Sequence, residues 1–219
     1  MIVSRPVLEV LPPADFTLWP ISDDAPYGFL PLHGGLTPAE IGTAVASIAD
    51  CNAVTPEDDR PSTSSDPIGA FLHGLLTTDC LYVPGGLRVT DTATGFTLLP
   101  GCCNELEERG DWLEVLDGHG EGEGWASFGH DPSPVAERLG DAVRLTVDAD
   151  REDSPVIEVR VDELRHLLDG AERDLVDFVR LAAAWAVGQV PDHAGQVTAA
   201  LARALGPPTP ALPGPWIGG

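Results

Sequence analysis

VRLTVDADREDSPVIEV, residues 143–159, carries the reading that decides the fold. Val143, Leu145 and Val147 alternate with polar residues, and so do Ile157 and Val159, as on a strand with one buried face. Between them Asp148 to Asp153 is a charged turn, so the two runs are expected to pair antiparallel. Beyond Val159 the period changes. Val161 to Leu168 and Ala171 to Val187 repeat apolar residues at helical spacing, with Leu175, Phe178, Val179, Ala182 and Trp185 on one face. A strand pair running into helices makes the chain α+β, a central antiparallel sheet with an N-terminal helix and C-terminal helices packed on it.

Working outward toward the N-terminus, Leu81–Val83, Leu87–Thr90 and Phe96–Leu99 are separated by Gly- and Pro-bearing turns and read as a three-stranded meander. Trp125 to Phe128 reads as a further strand, and Trp112 to Leu116 as a strand or short helix. Thr37-Pro38-Ala39-Glu40 has the form of a capping box with proline at the first helical position, which predicts a helix over 38–49. Ile68 to Leu76 reads as a short helix, and residues 1–36 as one or two short strands joined by turns. A last helix is expected over 192–205, capped by Asp192. Residues 52–67 read as a surface loop. The expected organisation is one domain over 1–206, followed by an extended Pro- and Gly-rich tail, 207–219, anchored by Trp216.

Composition narrows the function classes. Thirty-five acidic residues stand against 12 basic ones, a net charge of −23, which repels nucleic acid and anionic membrane and favours encounter with a basic partner protein. All the basic residues are arginine. Without lysine, the chain has no phosphate-loop lysine, no kinase-type ATP lysine and no Schiff-base lysine. No apolar run approaches the length of a membrane span, and no signal-peptide pattern opens the sequence, so a cytoplasmic protein is expected. The four cysteines are too sparse for a disulfide framework and are expected to be reduced and mostly buried. No cofactor motif is present.

Residues 100–134 hold the groups with chemistry. Cys102, Cys103, His119 and His130 are the ligand types of tetrahedral zinc, although adjacent cysteines seldom reach one ion from regular backbone. A cysteine nucleophile with His119 or His130 as base and Asp131 as orienting group is the corresponding hydrolase reading. Against it, His130-Asp131-Pro132 reads as a turn in which the histidine bonds the carboxylate. The acidic residues Glu105, Glu107, Glu108, Asp111 and Glu114, with Trp112 and Asp131, are the candidate contacts for a basic partner. The remaining histidines, His33, His73, His166 and His193, stand isolated in the sequence.

PGCCN at 100–104 and GHDPSP at 129–134 resemble a bacterial family marked by those two segments, which implies no activity. The order of elements also resembles the SUKH group, whose members include immunity proteins that neutralise basic toxins. That resemblance implies a non-catalytic protein-binding module. The alternative is a small cysteine- or metal-dependent hydrolase using Cys102, Cys103, His119 and His130.

Overall fold

The computed structural model describes residues 1–23, 26–53, 66–118 and 124–206. Among them the chain forms eight strands and five α-helices: β1 Ile2–Val10, β2 Gly28–Pro31, α1 Pro38–Cys51, α2 Pro67–Thr77, β3 Gly85–Asp91, β4 Thr97–Leu98, α3 Asp111–Asp117, β5 Trp125–Ser127, β6 Val135–Leu139, β7 Ala142–Thr146, β8 Val156–Arg160, α4 Val161–Gln189 and α5 Ala194–Leu205. Short 3-10 turns at Leu106–Gly110 and Pro191–His193 precede α3 and α5. The α+β class is as expected.

The strands do not form one central sheet. They divide into two antiparallel sheets of four strands, ordered β2-β1-β3-β4 and β5-β6-β7-β8. The β7–β8 pair has the expected register, Val143 opposite Val159 and Leu145 opposite Ile157. The meander read over 81–99 is corrected in part: β3 pairs with β4 as expected, Val89 opposite Leu98, but Leu81–Val83 is not a strand, and the other neighbour of β3 is β1, Leu87 opposite Pro6. Pro6 concealed this from the sequence, because proline argues against an inner strand. The β1–β2 register begins only at Val7, so Pro6 sits at the end of that pairing.

Two apolar clusters fill the interior. Leu8, Val10, Leu30 and Leu32 pack with α1, α2, α5 and the C-terminal half of α4. Leu87, Val89 and Leu98 pack with α3, the inner face of the second sheet and the N-terminal half of α4. One helix therefore serves both clusters: Leu164, Leu168 and Ala171 lie in the second, Leu175, Phe178, Ala182 and Trp185 in the first. The interruption read between Leu168 and Ala171 does not occur. Gly170 is accommodated within 29 continuous helical residues, a rod of about 43 Å at 1.5 Å per residue.

Helix starts follow local chemistry. Thr37 Oγ1 accepts from Glu40 N at 3.3 Å while Glu40 Oε2 accepts from Thr37 N at 2.7 Å, the reciprocal box expected for α1. Asp66 caps α2 through Gly69 N at 2.9 Å, and His193 Nε2 meets the same carboxylate at 2.8 Å, tying α2 to the α4–α5 connection. His193 is thus not isolated. Asp192 does not cap α5, which starts at Ala194 after the 3-10 turn. Most of the surface loop read at 52–67, and the tail at 207–219, lie outside the described residues.

Candidate functional site: the Cys102–Cys103–His130 cluster and the acidic segment beside it

Two loops that are far apart in sequence make one structure. Gly101 N donates to Phe128 O at 2.8 Å, Cys102 N to His130 O at 2.6 Å, and His130 N returns a bond to Cys102 O at 3.2 Å. Cys102 and His130 thereby form an isolated antiparallel bridge. The glycines allow the approach. A side chain at Gly101 would collide with Pro132 O and His130 N, and one at Gly129, whose φ is +90°, would lie 2.6 Å from Cys102 O. Asn104 fastens the first loop to β3: its Nδ2 donates to Gly85 O at 2.6 Å and its backbone carbonyl accepts from Gly85 N at 2.9 Å. The PGCCN and GHDPSP segments are therefore two halves of one loop pair.

Cys102, Cys103 and His130 converge at the surface of that pair, with one potential ligand atom from each lying within 4.8 Å of the others. The two Sγ atoms are 3.3 Å apart. Regular backbone would point adjacent side chains apart, but Cys103 adopts φ +66° and Asp131 φ +52°, so neither loop is regular here. His130 Nδ1 lies 3.1 Å from Asp131 Oδ2, the contact expected for this turn. All four cysteines are exposed, which corrects the expectation of buried thiols. His119, grouped with these residues by the sequence, lies outside the described residues.

The thiols are inequivalent. The hydrogen bond with Cys102, then that with His130, holds the Cys103 thiol below its usual range. The same bond to Cys103, then burial, raises Cys102. The carboxylate of Asp131, then Cys103, raises His130 and favours its cation. The Cys103 and His130 shifts act in the same sense, each favouring the charged form of its group. Glu9 and Tyr82 belong to these surroundings too: the Cys103 charge is among the causes raising Tyr82, and Glu9 acts on both thiols. No local pattern marks either residue: Glu9 N donates to Pro84 O and Tyr82 N to Asn52 Oδ1, contacts between segments distant in sequence.

The acidic segment follows directly. Glu107, Glu108 and Glu114 are exposed, while Glu105 and Asp111 are half-buried. Burial, then Glu108 and Glu107, raises the Glu105 carboxyl; burial, then Glu114 and Glu108, raises that of Asp111. These acids are close enough to repel one another. Between residues 105 and 117 the sequence holds six acids and one base, Arg109. That guanidinium is turned inward: its side chain is 4% exposed and Nε donates to Glu172 Oε1 at 2.7 Å. Nη1 donates to Leu106 O at 2.6 Å, and Nη2 to Leu205 O and Gly206 O at the end of α5.

Trp112 does not belong with the candidate partner contacts. It is 1% exposed and stacks on Phe128, centroids 4.2 Å apart and planes at 9°. Helical periodicity places it on the inner side of α3 with Val115 and Leu116, opposite Leu113 and Glu114. Asp131 is exposed, on the His130 loop rather than in the acidic segment. No protein-family model, curated protein or solved structure matches the chain.

Proposed function

We propose that the protein is a non-catalytic binding module of the immunity or regulatory type, engaging a basic partner protein through the acidic segment 105–114. The observation that supports this reading is the inward turn of Arg109. The one cation in the segment pairs with Glu172 and donates to the carbonyls at the end of α5, so Glu107, Glu108 and Glu114 face solvent without it. A net charge of −23 would speed association with a positively charged surface, and salt would weaken it. Among the described residues no helix is long and apolar enough to cross a membrane.

The test is a pull-down of tagged full-length protein from its own cells, beside a Glu107→Gln/Glu108→Gln/Glu114→Gln variant. A basic protein retained in stoichiometric amount by the parent, released by moderate salt and lost from the variant is the expected result. Equal recovery of the same proteins by both would sink the reading.

A second reading, a thiol-dependent hydrolase, draws on the lowered Cys103 thiol beside His130 and Asp131. It requires turnover of an activated ester that disappears in Cys103→Ser. Equal rates for the two proteins would remove it.

A further inference from the structure

We propose that Cys102, Cys103 and His130 form a binding site for one thiophilic divalent cation of the zinc class, with three protein ligands and the fourth position open to solvent. The site is independent of the acidic-segment reading.

Geometry is the first support. Two sulfurs bound at about 2.3 Å to a tetrahedral ion lie about 3.8 Å apart, and the two Sγ atoms, at 3.3 Å, need to part by only a few tenths of an ångström. The third ligand is already within 4.8 Å of both.

The backbone is the second support. The reciprocal hydrogen bonds between Cys102 and His130 fix two of the ligands on one bridge. Cys103 reaches the same point because of its φ of +66°. A left-handed conformation at a non-glycine residue costs on the order of 1–3 kcal/mol and collects at functional positions. Four non-glycine residues adopt it among the described residues, Asp15, Tyr27, Cys103 and Asp131; Cys103 belongs to this cluster and Asp131 adjoins it. Packing of the side chains does not offset the cost, since Cys103 and Asp131 are both exposed.

Asp131 is the third support. Its carboxylate stands 3.1 Å from His130 Nδ1, as the carboxylate behind a metal-bound histidine does; with Nδ1 so engaged, Nε2 is the nitrogen that would hold the ion. Asp131 is a positioning residue here.

The donor set selects the ion. Two thiolates and an imidazole suit zinc and its softer neighbours, whereas calcium and magnesium require oxygen cages. Binding forms two metal–sulfur bonds and one metal–nitrogen bond, and any proton still held by Cys102, Cys103 or His130 Nε2 passes to solvent. With three protein ligands, the fourth corner is available to water or to a donor from another molecule.

The experiment uses the reduced, metal-free full chain, titrated with Zn²⁺ by calorimetry and with Co²⁺ by absorption. Expected is one equivalent of each, with thiolate-to-cobalt charge-transfer bands and the intense visible bands of a tetrahedral centre. A Cys51→Ser/Cys80→Ser variant should keep both signals, because those exposed thiols lie outside the cluster. Cys103→Ser and His130→Ala should each lose at least about 100-fold in affinity, and Asp131→Asn about 10-fold or more, with circular dichroism confirming that each variant folds. Absence of stoichiometric Zn²⁺ and Co²⁺ binding by the parent would overturn the site, as would binding that survives in a folded Cys102→Ser/Cys103→Ser variant. Uptake of Cu⁺ without Zn²⁺ would overturn the zinc-class assignment.

Discussion

Arg109 Nε donates to Glu172 Oε1 at 2.7 Å, joining the turn before α3 to the middle of α4 across 63 residues of chain. The arginine is buried and the glutamate partly exposed. This one pair fastens the acidic segment to the body and removes its only cation from the surface.

Glu172→Ala should therefore cost about 2–3 kcal/mol, somewhat under the range for a fully buried pair because Glu172 retains contact with water. The guanidinium would keep its bonds to the carbonyls of Leu106 and Leu205 but lose its counter-charge. Urea denaturation measures the change, and a loss below about 0.5 kcal/mol would mean that the carbonyls alone hold Arg109.

Trp112→Ala should cost about 3–5 kcal/mol, the range for removing a buried aromatic side chain. The indole stacks on Phe128, so the loss should also loosen the loop carrying His130, two residues further on. Hydrogen exchange would show faster exchange of the His130 amide in the variant. A stability near that of the parent would return Trp112 to the surface role the sequence suggested.

Gly101→Ala and Gly110→Ala separate a glycine required by contact from one that is not. The first should cost at least about 1–3 kcal/mol, because its methyl group would meet Pro132 O and His130 N. The second has open space at its Cβ position and should be neutral or slightly stabilising. Thermal melts of the two variants supply the comparison; equal shifts would argue against the tight loop pair.

Tyr82 is pushed up to about 12 from its ordinary 10, chiefly by burial and then by the charges of Cys103 and Glu105. The folded chain holds this phenolic proton more tightly than the unfolded one. Its contribution to stability is fully present below pH 10 and is lost as the pH rises from 10 toward about 12. Ultraviolet titration of phenolate should show a component with a midpoint about two units above that of the denatured chain. Full ionisation at the denatured midpoint would contradict this.

Much of the fold is legible in the chain because local chemistry acts over a few residues. Thr37 and Glu40 meet across one helical turn, and the alternation at 143–147 and 156–159 survives because one face of that pair is buried. The candidate site is half legible. Its residue types stand in the sequence, but adjacency argued against both cysteines serving one ion, and only the left-handed turn at Cys103 removes that objection. The inner position of Trp112 follows from the helical alternative for this stretch, since Trp112, Val115 and Leu116 share one apolar face of α3.

By itself the sequence determined the α+β class, the starts of α1 and α2, the β7–β8 pair and the exclusion of lysine chemistry, since each follows from composition or from neighbours along the chain. Tertiary structure alone decided that the strands form two sheets, that α4 runs unbroken between two cores and that Arg109 faces Glu172. It also brought Cys102 to His130, 28 positions away. Pairings of that kind depend on which surfaces bury each other in three dimensions, and no local period records it.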